Sequence, residues 1–131
     1  MEKEAILQKF HMRPHAEGGY YAEVRKMNGG AVSQIYYLLD AYETASWHRL
    51  QSEELWLYHD GGELTLTSGG TGEEPKAELS VALGKENPSF SIPPHHWQKA
   101  TAKEKPVLVS CLVCPAFDWE QWELYQKETT K

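Results

Sequence analysis

"SWHRLQSEELWLYHDGGELTL", residues 46–66, is the stretch on which the reading of this chain turns. Side chains along a strand alternate faces. Ser46 and His48 therefore share a face, and Glu54, Trp56 and Tyr58 share one opposite to Glu53, Leu55 and Leu57. "DGG" at 60–62 reads as a hairpin turn. The stretch is thus expected to be a β-hairpin offering a histidine and a carboxylate, groups that hold divalent metals or pass protons. A lone carboxylate among aromatic rings is costly to charge. His48 or a metal is the expected partner of Glu54.

Around this stretch lie other short strand-like runs: "AVSQIYYLLD", "AELSVAL", "SFSIP", "HWQKAT" and "PVLVSCLVC". Gly, Pro, Asn or Asp stands at most of the joints, a pattern that predicts an all-β sandwich or barrel. "KEAILQKFHM" predicts a short N-terminal helix with Ile6, Leu7 and Phe10 on one side, ended by Pro14. "FDWEQWELYQKETTK" predicts a short C-terminal helix capped by Asp118, with Trp119 and Trp122 as packing groups and a frayed end. No repeat or linker is visible, so residues 1–131 are expected to form one domain.

Composition narrows the function classes. The chain has 131 residues, 40% hydrophobic, enough for a core without disulfides. Its 13 basic and 19 acidic residues give a net charge of −6, with no basic stripe, which argues against a nucleic-acid partner. No apolar run approaches membrane-spanning length, and "MEKEAILQKF" lacks the apolar region of a signal peptide, so a cytoplasmic location is expected. Cys111 and Cys114 form a CxxC in an apolar run. Residues three apart face opposite sides of a strand, so both thiols cannot hold one metal; they are expected to be buried free thiols.

"IPPHHWQKA" (92–100) adds a second polar segment. While it stays extended, His96, Gln98 and Ala100 share one face, and His95, Trp97 and Lys99 the other.

The Glu54-x6-Gly61 spacing, with His48 upstream and a proline turn before a later strand, resembles the cupin superfamily. More narrowly, the chain resembles the DUF985 (Cupin_5) family over nearly its whole length. The resemblance rests on "RPHAEGGYYAEV" (13–24), "IYYLL" (35–39), "WHRLQSEELWLYHDG" (47–61), "IPPHHWQKA" (92–100) and "CLVCPAFDWEQWEL" (111–124). The chain departs from that pattern at Ala116 and His95, where the family usually has Gly. The resemblance implies a cupin double-stranded β-helix, a jelly-roll barrel, to which the residues above add a short helix at each end. It also implies a homodimer, by strand exchange or sheet packing, and a pocket inside the barrel.

Carried over by that resemblance, the metal-ligand positions hold Ser46, His48, Glu54 and Gln98. Ser46 stands where the pattern has a histidine, and Gln98 offers only a neutral oxygen. His96, beside Gln98 by parity, is a candidate replacement ligand. His48, Glu54, His96 and Gln98 would then form a divalent-metal set, for Mn, Zn, Ni, Fe or Mg. The alternative is a metal-free pocket with His48 and Glu54 hydrogen-bonded to each other.

His15, Glu17 and the Gly18–Gly19 pair lie in a segment suited to close approach of backbone to ligand. Tyr21, Glu23 and Arg25 share a strand face, and Tyr37 and Trp56 are candidate pocket walls, so His15, Glu17, Tyr21, Glu23, Tyr37, Ser46, Trp56 and Gln98 make up the expected ligand-binding set. His48 and Glu54 are the candidate catalytic pair. Three functions fit: a binding protein for a small polar metabolite; a metal-assisted or acid–base epimerase, isomerase or lyase acting on a sugar or keto acid; or a structural or interaction role for the dimer with a vestigial pocket.

Overall fold

The computed structural model describes residues 1–127. After helix α1 (Lys3–Lys9) come eleven strands: β1 (Arg13–Pro14), β2 (Tyr20–Met27), β3 (Val32–Leu39), β4 (Thr44–Leu50), β5 (Glu53–Gly61), β6 (Leu64–Ser68), β7 (Leu79–Leu83), β8 (Ser89–Ile92), β9 (Gln98–Ala102), β10 (Val107–Cys114) and β11 (Trp122–Leu124). They form two antiparallel sheets, one in the order β1-β2-β3-β10-β5-β8 and the other β11-β4-β9-β6-β7. This is the expected jelly roll. Among the described residues, no helix is long and apolar enough to cross a membrane.

The sheet order corrects the hairpin. β4 and β6 belong to the five-stranded sheet and β5 to the six-stranded one. The chain therefore crosses between sheets at residues 51–52 and again at "DGG". Gly61, at φ +100°, takes this second corner, where a Cβ would collide with the Pro106 carbonyl. His48 and Glu54 consequently come from opposite walls of the barrel rather than from paired strands.

The inward faces of both sheets meet in one core, which includes Leu39, Trp56, Leu64, Leu66, Leu83, Ile92, Ala100, Val107 and Val109. Outside it, α1 sits on the six-stranded sheet, with Phe10 and Tyr36 rings 4.6 Å apart and Lys3 bonded to Asp40 at 2.7 Å. The helix ends at Lys9, ahead of His11 at φ +53°, and Pro14 belongs to β1 instead of terminating it.

The C-terminal segment makes a single 3₁₀ turn, Trp119–Gln121, in place of a longer helix. Asp118 caps it as expected, accepting from the Glu120 amide at 2.9 Å. The turn stops because Trp122–Leu124 pairs with His48–Leu50 of β4. Fraying of the last residues lies outside the described residues. Strand parity separates the two thiols: Cys111 is buried between the sheets, but Cys114 is exposed, against the expectation for it.

Candidate functional site

Past the aliphatic core, the inward positions change character. β10 runs inward through Val107, Val109, Cys111 and Val113, and β5 presents Trp56 and then Glu54. Here the two sheets enclose a cavity of about 690 Å³ with Glu17, His48, Glu54 and Cys111 in its walls.

Glu17 is the hub of the cluster. Its Oε1 lies 3.4 Å from His48 Nε2, 3.5 Å from His15 Nδ1 and 3.1 Å from the Trp122 indole nitrogen, which donates to it. The Gly18–Gly19 pair explains how Glu17 arrives there. At Gly18 (φ +115°) a Cβ would strike the Thr44 carbonyl, and at Gly19 (φ +74°) one would lie 2.8 Å from the Leu38 carbonyl. The close approach is to the protein's own strands, not to a ligand. The Ser46 amide donates to Glu17 O at 2.7 Å, and the Tyr37 hydroxyl donates to Gly18 O.

Two contacts define the histidine tautomers. A carbonyl oxygen only accepts, so His48 Nδ1, 2.7 Å from Ser46 O, carries the proton and Nε2 turns its lone pair to Glu17. His15 Nδ1 accepts from the Glu17 amide at 3.1 Å, which leaves the neutral ring's proton on Nε2.

Burial drives the electrostatics. It pushes the Glu17 carboxyl up to about 8, with the Trp122 hydrogen bond opposing it in part. Burial, reinforced by His48, brings His15 down to about 4. His48 is lowered by burial, against the pull of Glu54 and the Ser46 carbonyl. Glu54 is raised by burial, with His48 opposing and Glu17 adding to the shift. The cluster therefore approaches neutrality with a protonated Glu17 beside an unprotonated His48 nitrogen.

Several expected site residues stand elsewhere. A bulge in β4 moves the register from Ala45↔Ala100 to His48↔Gln98, so Ala45 and His48 both face inward and the Ser46 side chain is exposed. His96 is not beside Gln98 on a strand. His95 takes φ +67°, the strand begins only at Gln98, and His96 Nδ1 lies 3.0 Å from Pro94 O. Gln98 is buried, but both ends of its amide are committed: the Trp56 indole donates to its oxygen at 2.7 Å, and its nitrogen donates to Glu54 Oε1 at 2.7 Å. An indole N–H only donates, which fixes the amide's orientation. Gln98 and Trp56 thus position Glu54 from behind. Glu23 is exposed at the rim, 3.4 Å from Arg13. His48 is not paired directly with Glu54; the carboxylate within 4 Å of it is Glu17.

Trp119 and Trp122, packing groups by sequence, line the cavity, as does the buried thiol of Cys111. Their role depends on β11 returning to β4, a long-range pairing that local spacing does not encode.

The sequence matches the family described as Cupin superfamily (DUF985), Cupin_5, over residues 4–125. The chain belongs to this family. A protein from Shewanella oneidensis, 26% identical, has a crystal structure that superposes with a TM-score of 0.85 over 96% of this chain and 85% of that one. A hypothetical protein from Leishmania major is also 26% identical, with a TM-score of 0.81 over 96% of this chain and 88% of that one. KdgF from Halomonas shares the fold alone, at 16% identity and a TM-score of 0.68 over 86% of this chain and 93% of that one. No curated protein matches significantly.

The metal set expected of this cupin does not fit the residues as they stand. Ser46 and His96 lie outside the cavity, and the Gln98 oxygen is taken. Among the described residues, no group of three or more His, Cys, Asp or Glu side chains is arranged to hold an ion.

Proposed function

We propose that this cupin binds a small polar metabolite in the cavity and moves protons on it with Glu17 and His48. The observation that carries this reading is the contact at 3.4 Å between His48 Nε2, whose lone pair the Ser46 carbonyl leaves free, and the buried carboxyl of Glu17. One group is poised to take a proton while the other gives one. Glu54, held by Gln98, closes the floor and orients the ligand. The pairing first expected, His48 with Glu54, becomes His48 with Glu17.

On a ketone or keto acid the step balances as follows. His48 Nε2 takes a proton from the carbon next to the carbonyl, and that C–H pair becomes the carbon–carbon π bond. The carbonyl π pair forms an O–H bond with the proton of Glu17, giving an enol. Reversal at either carbon returns an isomer or an epimer. The expected homodimer belongs to the same reading, since both sheets end in open edges, at β1 and β8 and at β11 and β7.

The test is solvent exchange. Small hydroxyketones and keto acids in D₂O should lose their α-C–H proton signals faster with the protein than without it. Glu17→Gln and His48→Ala should each slow the exchange by roughly a hundredfold or more. Binding of the same compounds with no exchange above buffer would leave the cavity a binding site only and remove the acid–base reading.

A further inference from the structure

The mouth of the cavity carries exposed cations, in contrast to its buried floor. Arg25 and Lys26 lie on its rim, both exposed. Among the described residues, neither takes part in a side-chain ion pair. Two carboxylates share the rim: Glu23, 3.4 Å from Arg13, and Asp118, which accepts from the Glu120 amide.

The backbone aims one of these cations. β2 pairs Tyr21 with Tyr37 and Glu23 with Ile35, then slips by one residue, so that Arg25 meets Gln34 and Lys26 meets Ser33. Residues opposite each other in a pair share a face. Tyr37, Ile35 and Ser33 alternate along β3 on the cavity side, so the bulge at Val24 brings Lys26 onto the face of Tyr21 and Glu23. In a regular strand Lys26, three residues after Glu23, would face away, and Arg25 would hold the place expected for it. A bulge that re-aims a side chain beside a cavity is a built feature rather than a defect.

Between floor and mouth the wall is aromatic. Trp119 packs against Phe117 at 4.8 Å, Trp122 at 5.2 Å and His15 at 5.3 Å, yet remains 47% exposed. Tyr21 packs beside it edge-on, 6.4 Å from Trp119 between ring centroids. A tryptophan braced on one side and open on the other is a stacking surface.

We propose that the ligand is a ring-bearing organic anion. Its ring stacks on the open face of Trp119, its phosphate or carboxylate meets Lys26 with Arg25 next to it on the rim, and a hydroxyl or carbonyl reaches Glu17 and His48. This deepens the binding reading above and rests on it. The floor agrees with it, since burial disfavours the ionised forms of Glu17 and Glu54 and so weakens their repulsion of an anion.

The test uses the whole chain and tryptophan fluorescence. Phenyl phosphate, benzoate and neutral benzyl alcohol are titrated to millimolar concentration. The two anions should quench, with benzyl alcohol weaker by roughly tenfold or more. The stronger of the two tells a phosphate ligand from a carboxylate. Combined Arg25→Ala and Lys26→Ala should bring anion affinity down to that of benzyl alcohol, while Lys85→Ala, on a distant turn, should change nothing. Added salt should weaken the anions alone. If benzyl alcohol binds as well as the anions, or the double variant retains the preference, the anion assignment is overturned and the cavity reading stands. Quenching by none of the probes overturns both.

Discussion

The two ends of this barrel are built from the same strands and differ in what those strands point inward. β9 offers Ala102 and Ala100 at one end and Gln98 at the other; β5 offers Trp56 and then Glu54. At the closed end, Leu64, Leu83 and Val107 are shielded from water and meet other apolar groups. At the open end, two carboxyls and two imidazoles are buried around a cavity. Their hydrogen-bonding atoms are satisfied, because among the described residues no buried side-chain polar atom lacks a partner. Their charges are not, because burial disfavours the ionised form of each. One strand set thus separates two tasks: the apolar end holds the fold, and the polar end keeps groups in protonation states that water would not allow.

The largest expected effect tests that division. Leu64 is fully buried, and Leu64→Ala should cost about 2–5 kcal/mol in urea unfolding. Glu54→Gln should cost far less, since it removes a group whose charged form burial opposes and keeps an amide to meet Gln98. Equal losses in the two variants would mean that the polar end carries stability too, and the division would fail.

The next effect is a slope. Glu17 is raised from 4.5 to about 8, so the folded state holds an extra proton between those values and stability falls as pH rises through them. His15 is lowered from 6.5 to about 4, so in that range the unfolded state binds more protons and stability rises with pH. Below pH 6.5 the two oppose each other, and His48, also lowered, adds to the His15 side. Above pH 6.5 the unfolded histidines lose their remaining protons, their opposition fades, and the carboxyls come to act alone toward pH 8. Stability should fall across that window by up to about 1.4 kcal/mol per pH unit from Glu17, and Glu17→Gln should flatten most of the fall. Urea midpoints at pH 6.5, 7.2 and 8 decide it; a rise with pH would show that Glu17 is ionised in the folded protein.

The closed end was legible in the sequence because it obeys local rules. Alternation along "ELWLYHD" placed Glu54 and Trp56 together, and the turn residues marked most of the strand ends. The open end kept that alternation at Glu54 and broke it elsewhere. The bulge in β4 turned Ser46 out, that in β2 turned Lys26 in, and the positive φ of His95 ended the parity that had set His96 beside Gln98. Each is a one-residue change of phase, and a one-residue slip moves a side chain to the other face. Their motif marked His15 and Glu17 as candidates, but not the contact of Glu17 with His48. That contact needs Gly18 and Gly19 to bring a loop from before β2 against β4, a distance in sequence that no pattern of spacing records.

The smallest effect separates two ways in which the C-terminal segment acts on Glu17. Trp122 gives the carboxyl a hydrogen bond at 3.1 Å, which favours the ionised form, and its ring also keeps water away, which disfavours it. Trp122→Phe removes the donor and retains most of the ring. The Glu17 titration, followed by carbon NMR of its carboxyl, should then move upward by up to about one pH unit, the worth of a neutral hydrogen bond. Trp122→Ala removes the cover as well, admits water and should move the midpoint down toward the ordinary range. Opposite shifts would establish that one residue both shields and tempers the acid at the open end. Downward shifts in both would make Trp122 a cover alone and leave its indole N–H without a part in holding Glu17.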